Sequence, residues 1–469
     1  MRGALVVGLR GIASRVIALG GTIVLARTLS TDDFGIFAIG STLMISIDSV
    51  VRGGLGAGLI RRPSEPSMAE LQTVVAANGL VLIVAVVATA AVCAAIGGGV
   101  FIIAFMVMFM PLTAFRTPGI IGFERALSYR KLAKVEVFET AALYGVSALL
   151  VALGMGLFGV VVAAAVRAVG GSLLMVRATP QGLVRPRLSV PLARGLTGFA
   201  GKYQGVALFN FARDQGANLG IAAVGGVTML GVFTVATRVL QAPQILLEAL
   251  FRVSYPAMSR MQEHAADPRH ILERTVKAVA VGTAFVVAPL AAASVPLIPA
   301  VFGERWSEAA TVIPPVSVAL MIGGPVTVAA GGYLFATDAG EIVLRSAILH
   351  TIAWFLVALP LLSLIGVVAA GLGIIASSVV EALVLGLAVR RRTGARIFGA
   401  LIVPLLAATA ATGAGAGAIT RVALSQAVEA GAAALIAAGT LTVLLLAFQR
   451  DDLAGLVRLI RSAARPTTA

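Results

Sequence analysis

Apolar stretches of twenty or so residues recur along nearly the whole chain. About 20 such residues in a helix are enough to cross the hydrocarbon of a bilayer. The pattern predicts fourteen spans, at 5–26, 36–59, 74–97, 100–122, 135–154, 157–176, 197–223, 228–250, 276–301, 309–335, 342–364, 366–389, 397–420 and 429–448. Only Gly97, Gly98 and Gly99 separate the third from the fourth, and a turn near Gly366 separates the eleventh from the twelfth. The expected fold is an all-α integral membrane protein.

The polar positions inside those spans carry the information about function. Eight are basic: Arg10, Arg15, Arg52, Arg116, Arg167, Lys202, Arg213 and Arg238. A cation at the bilayer centre costs from about 3 to over 10 kcal/mol, so such residues persist where they face a bundle interior or a wet cavity. Setting Asp48, Asp214, Glu248 and Glu381 against the eight leaves an expected excess of about four positive charges, nearly all before residue 250. Arginine suits phosphate because its planar fork donates two hydrogen bonds at once. A cationic interior therefore points to an anionic cargo such as a pyrophosphate or an acidic sugar.

Composition supports the membrane reading. Of 469 residues, 59% are hydrophobic and 12% charged, where a soluble domain carries about 25% charged residues. The 52 glycines fit helices that pack closely through small residues. Cys93 is the single cysteine, and the three histidines, His264, His270 and His350, are too scattered to suggest a metal. A net charge of +15 could point to nucleic acid, but the arginines lie in short loops between spans, which fits membrane orientation instead. With the N-terminus inside, 25 of the 36 Lys and Arg fall in inner segments and three, Arg27, Arg305 and Arg421, in outer loops. That bias predicts both termini in the cytoplasm. The first apolar stretch carries Arg10 and Arg15 and lacks an obvious small-residue cleavage site, unlike an ordinary cleavable signal.

Phe34-Gly35-Ile36-Phe37 opens the second span and Leu230-Gly231-Val232-Phe233 opens the eighth. This weak repeat in one orientation predicts two lobes with a substrate site between them. The expected divisions are an N-terminal lobe at 1–194, a C-terminal lobe at 195–396, and an added helix pair with a cytoplasmic tail at 397–469.

The seventh span is the most polar, with Lys202, Gln204, Asn210, Arg213, Asp214, Gln215 and Asn218. At about 100° per residue, Lys202 and Arg213 fall within about 20° of each other. Asn210, Asp214 and Asn218 continue that arc turn by turn. Such a stripe borders water or ligand, or else serves only to tie the bundle together through a buried Arg213–Asp214 pairing. Asp48 and Arg52 are spaced i, i+4 and can meet as an ion pair; if Asp48 instead exchanges a proton, it is a coupling site. Arg238 precedes Glu248 by ten residues and need not pair with it, and Glu248, near the cytoplasmic end, can be an interfacial residue. Arg15, Arg116 and Arg167 have no acidic residue within a turn of sequence. The expected cationic site is thus Arg15, Arg52, Arg116, Arg167, Lys202, Asn210, Arg213 and Arg238, with Asp48, Asp214 and Glu248 as candidate ion-coupling groups. No GxxxxGK[ST] phosphate loop occurs and no outer loop is long enough for a catalytic domain, so no catalytic residue, resident cofactor or metal is expected.

Three segments carry a resemblance. Leu25-Ala26-Arg27-Thr28-Leu29-Ser30-Thr31-Asp32-Asp33-Phe34-Gly35 resembles the turn after the first helix of bacterial polysaccharide flippases. Tyr255-Pro256-Ala257-Met258-Ser259-Arg260 resembles their segment after the eighth helix. Phe302-Gly303-Glu304-Arg305-Trp306 with Ala309-Ala310 is similar to their outer loop between the ninth and tenth helices. One departure is Thr31, where the family often has proline. The family is the Wzx-type branch of the multidrug/oligosaccharidyl-lipid/polysaccharide (MOP) exporter superfamily. The resemblance implies two pseudo-symmetric six-helix lobes plus two C-terminal helices. It also implies transfer of an undecaprenyl-diphosphate-linked oligosaccharide across the bacterial cytoplasmic membrane by alternating access. Proton or sodium coupling would drive it, with a polysaccharide polymerase and chain-length machinery as partners. The rivals are a lipid II flippase, an ion-coupled multidrug exporter and a membrane-embedded polymerase. An exporter of cations would prefer an acidic or aromatic cavity, and a polymerase needs a substantial outer loop.

Overall fold

The computed structural model describes the chain outside residues 1, 53–54, 63, 242, 249, 251–266, 338, 420–424 and 449–469, and describes 2–9, 50, 52, 55, 57, 61 and 197–214 by backbone alone. The described residues are helical and contain no strand. They form two compact units, Met1–Gly231 and Val232–Ala469. Among the described residues, eleven helical stretches are long and apolar enough to cross a membrane. One of them, Tyr129–Ala178, turns at Gly154 and Gly156, whose φ values of +89° and +53° only glycine adopts without strain. With that turn, with a second inside the long tenth helix, and with α2 below, the fourteen predicted spans are accounted for. The protein is a multi-pass membrane protein.

In the first unit, α1 is Arg2–Thr28 and α2 is Thr31–Arg52. Ser30 caps α2, its hydroxyl accepting from the Asp33 N–H at 3.1 Å, and Asp32 and Asp33 sit in the positive first turn. Thr31 is the first helical residue, where proline is favoured, so either residue serves. Leu25, Ala26 and Phe34 of the first motif are fully buried, which ties that motif to packing. A short α3, Leu55–Arg61, precedes α4, Met68–Ile96. A reciprocal box between Ser67 and Glu70 starts α4 six residues before the hydropathy boundary.

The fourth span is not one continuous helix. After Gly97 and Gly98 at positive φ, it runs as a 3₁₀ turn, as α5 (Ile102–Val107), as a second 3₁₀ stretch (Met110–Arg116), and as α6 (Thr117–Arg125). Pro111 and Pro118 each withhold a backbone donor, and the breaks fall beside them. Next come α7 (Tyr129–Thr140), α8 (Ser147–Leu150) set between two π-helical turns, α9 (Gly156–Ala178) and α10 (Val190–Val239). α10 turns at Gly226, φ +80°, between the seventh and eighth predicted spans. It stops at Val239, short of the predicted 250, and the chain is helical again over 243–248. Pro243, which cannot donate to a continuing ladder, stands just past this break.

The two repeat motifs meet near the starts of the second and eighth predicted spans. The Thr228 hydroxyl bonds Asp32, and Gly231 lies so close to Gly35 that a Cβ on it would stand 3.4 Å from the Gly35 Cα. Glycine at both places permits that approach.

In the second unit, α11 (Pro268–Phe302) begins at an Asp267 cap and a Pro at its first position, eight residues before the predicted span. The third motif follows as a buried turn: Gly303 has φ +104°, and Trp306, Ala309 and Phe302 are at most 1% exposed. α12 (Ile313–Val326) continues through a π-helical turn at Thr327–Gly331 into α13 (Gly332–Ala336). α14 (Gly340–Ile365) and α15 (Val368–Thr393) form a hairpin about Gly366. α16 (Ile397–Ile419) and α17 (Gln426–Phe448) pack on α11 through Ala292, Ala293, Ala433 and Ala437, small residues that let the backbones close up. The second motif, at 255–260, lies outside the described residues.

Candidate functional site

The break at Met110–Arg116 fixes the first polar cluster. It leaves Arg116 at a junction between helical segments, with its side chain 3% exposed. The guanidinium meets Glu139 of α7 at 2.6 Å and donates to the Ser172 hydroxyl at 3.1 Å. It also donates to the carbonyl oxygens of Arg167 and Ala168 at 3.0 and 3.1 Å. Arg116 thus clamps α7 and α9 to the broken fourth span. The sequence places it among the expected cargo-binding cations; here all three of its nitrogens are engaged with protein.

Arg167, one turn away on α9, pairs with Asp48 of α2 at 2.5 Å. The expected Asp48–Arg52 contact within α2 is therefore at least shared with a residue 119 positions away; the Arg52 side chain lies outside the described residues. Arg10 pairs with Glu136. The charge balance drawn from the sequence left out Glu136 and Glu139, which stand in the fifth span. Counting them, with Lys277, Arg345 and Glu429 at the ends of their spans, seven acids face ten bases and the excess falls to about three. Asp48 and Arg116 also border a cavity of about 80 Å³, along with Thr113, Thr117 and Glu124. Asn78 donates to Thr117 beside it at 3.1 Å. That space admits a few waters at about 30 Å³ each, but not a glycan.

Gly171 makes this cluster fit. A Cβ there would stand 2.7 Å from Oε1 of Glu139 and 3.0 Å from a terminal guanidinium nitrogen of Arg116. Gly171→Leu is expected to push the pair apart and lower the melting temperature of the purified protein by several degrees, while Gly145→Leu, which meets nothing within 4 Å, leaves it unchanged. Equal melting of both variants would contradict the assigned packing.

The remaining expected residues are spread along other helices. Arg15 and Arg238 are half-buried and Glu248 is exposed. Lys202, Asn210, Arg213 and Asp214 lie on the continuous helical backbone of α10, so their common arc holds, while their side chains lie outside the described residues. Sequence reasoning missed the partners Glu136, Glu139, Asn78 and Ser172. Glu139 and Ser172 are polar residues in apolar spans, the one signal that could have marked them. It also missed Arg125, which donates to the carbonyl oxygens of Leu59, Arg62 and Ser64 at 2.6–3.0 Å and clamps the segment after α3.

Broken and π-bulged helices surround buried ion pairs in the first unit. Residues 24–311 match a family described as polysaccharide biosynthesis protein, and the chain belongs to that family. Comparison with curated proteins gives no match. Among solved structures the chain is similar to a lipid II flippase, MurJ, in an inward closed conformation. The TM-score is 0.75 at 11% identity, over 94% of this chain and 99% of that one. It is also similar to a multidrug resistance MATE family transporter of the MOP superfamily, inward-facing, with a TM-score of 0.60 at 15% identity over 81% and 94% of the two chains. The chain shares its fold with both.

Proposed function

We propose that the protein is a flippase that moves an undecaprenyl-diphosphate-linked oligosaccharide across the bacterial cytoplasmic membrane for surface polysaccharide synthesis. The observation that carries the reading is a polysaccharide-biosynthesis match over 24–311 on a chain whose fold is shared, over 94% of its length, with a lipid II flippase. Alternating access through a cationic cavity is the mechanism. Lys202 and Arg213, on one arc of α10, hold the diphosphate, with Asn210 beside them and Arg15, Arg52 and Arg238 adding positive charge. The polyprenyl tail stays in lipid. Asp48 beside its small cavity, Asp214 and Glu248 are the coupling groups for a proton or sodium gradient. Both termini lie in the cytoplasm, and a polymerase with chain-length machinery receives the product.

Lipid II transport is the second reading, favoured by the MurJ likeness. The test uses proteoliposomes loaded on one leaflet with undecaprenyl diphosphate bearing a fluorescent oligosaccharide or with fluorescent lipid II. The reading expects the oligosaccharide lipid to reach the opposite leaflet many times faster than in protein-free vesicles. A rate equal to protein-free vesicles would overturn it, and movement of lipid II alone would establish the second reading.

A further inference from the structure

The first unit holds a second cavity where its spans meet the membrane surface. α4 starts there at Met68, α6 stops at Arg125, α7 starts at Tyr129 and α9 stops at Ala178. The chain crosses and returns between these points, so all four helix ends lie on one face of the membrane. The cavity encloses about 420 Å³, within the range of small-ligand sites and far more than the space beside Asp48.

Its walls follow from the sequence. Pro180 keeps the chain from continuing α9. Gly119 lets α6 and α9 close on each other, since a Cβ there would stand 2.7 Å from the Met175 side chain. At Gly122, also on the wall, a Cβ would meet nothing within 4 Å. The loop after α9 returns along α4: the Arg187 N–H donates to the Gln72 carbonyl oxygen at 3.2 Å, and the Thr73 hydroxyl donates to the Arg187 carbonyl oxygen at 3.4 Å. Arg125 ties down the segment before α4 through the carbonyl oxygens described above.

The charge around the cavity is positive. Segments 61–70, 122–134 and 177–187 carry nine Lys and Arg against three acids. Of those acids, Glu70 pairs with Arg62 at 2.6 Å and Glu124 borders the Asp48 cavity. Glu65 remains as the acid on this wall, with Arg125 and Lys131 as its bases. Farther along the same helices, Glu136 and Glu139 of α7 pair with Arg10 and Arg116, and Arg167 of α9 pairs with Asp48. The Lys131 ammonium stands 5.3 Å from the centre of the Phe123 ring and forms no ion pair among the described residues, so it keeps donors for a ligand.

The rim is apolar as well as basic. Leu127, 68% exposed, has φ +51° and is the one non-glycine residue at positive φ among the described residues. It occupies the left-handed position of the turn that ends α6. There the Ser128 N–H donates to the Phe123 carbonyl oxygen at 2.8 Å and the Leu127 N–H to that of Glu124 at 3.1 Å. Glycine is favoured at that position; leucine instead presents an apolar side chain at the membrane surface. Met68 and Leu183, on the other two segments, are exposed too. A soluble phosphate uses only the cations, whereas a lipid uses the cations and the apolar rim together.

We propose that this cavity binds the phosphate headgroup of an anionic phospholipid of the cytoplasmic leaflet. Lys131 holds the phosphodiester, Arg125 adds positive charge while it fixes the wall, and Met68, Leu127 and Leu183 meet the acyl chains. The site uses none of the residues assigned to the cargo and stands whether or not the flippase reading does.

The test places the purified full chain in phosphatidylcholine vesicles with a trace of phosphatidylglycerol or of phosphatidylcholine, each carrying a diazirine near its headgroup. Peptide mass spectrometry then locates the adducts. Phosphatidylglycerol is expected to label segments 61–70, 122–134 and 177–187 more than phosphatidylcholine does, by about fivefold for each basic residue engaged. Lys131→Gln should lower that labelling by about fivefold and keep wild-type melting in phosphatidylcholine. Gly122→Leu should lower it by filling the space, and Glu65→Gln should raise it by removing the opposing charge. Equal labelling by the two lipids, or undiminished labelling in both the Lys131 and Gly122 variants, overturns the site. Loss of labelling to millimolar inorganic phosphate overturns the lipid assignment in favour of a soluble anion. Displacement by undecaprenyl-diphosphate oligosaccharide overturns it in favour of the cargo.

Discussion

Arg116→Met is expected to remove most of the folded protein from the membrane, a larger effect than any other single change considered. Arg116 and Glu139 are 3% and 7% exposed, so the variant takes the guanidinium away from a carboxylate in a closed space. Removing one member of a buried pair costs about 3–5 kcal/mol. Folded proteins are stable by only about 5–15 kcal/mol. The loss also frees the Ser172 hydroxyl and two carbonyl oxygens of α9 from the guanidinium that holds them. The double variant Arg116→Met with Glu139→Leu removes the stranded charge and should recover most of the yield. Size-exclusion profiles and melting curves in detergent report both. Wild-type melting of the single variant, with lost transport, would restore Arg116 to the cargo site.

The second large effect is on transport without loss of protein. Lys202→Glu or Arg213→Glu should reduce movement of the lipid-linked oligosaccharide by about 10- to 100-fold. Each hydrogen bond to a charged group is worth about 1.5–3 kcal/mol, and every 1.4 kcal/mol is about tenfold. Charge reversal adds repulsion from the diphosphate. The two positions share one arc of α10, so each should weaken the same step. Arg213→Lys keeps the charge but loses the bidentate fork and should fall between wild type and Arg213→Glu. Normal export by both charge-reversed variants, with normal amounts in the membrane, would end the assignment of this arc to the diphosphate.

These two predictions separate basic residues that the sequence presents alike. Arg116 and Lys202 are both basic residues in apolar spans. For Arg116 the neighbours are now known, and they are protein groups. For α10 the helical register carries the argument, since Lys202 and Arg213 share an arc whatever the rest of the chain does. Three of the eight spanning cations, Arg10, Arg116 and Arg167, meet carboxylates on other helices.

The helical architecture was legible because hydropathy is local. A run of twenty apolar residues must hide its backbone polar groups within itself, so the sequence alone predicts a helix there. The turns were legible where glycine marks them, at Gly97, Gly154 and Gly366. Helix starts were less so: Ser67 with Glu70, and Asp267 with Pro268, carry capping chemistry outside the apolar runs and were passed over. The three motifs were read as marks of kinship. In the two that are described, buried Phe34 and Trp306 show the packing that those residues serve.

From the amino-acid order alone came the membrane class, the span map and the presence of cations at membrane depth, since each depends on residues adjacent in the chain. Which acid meets which base was decided only in three dimensions. Asp48 and Arg167 are 119 residues apart, and the Arg116–Glu139 and His350–Glu381 contacts likewise join different helices. Their meeting depends on the depth and rotation of each helix, set by proline breaks, π-helical turns and small-residue contacts throughout the bundle, and no local window of sequence contains that information.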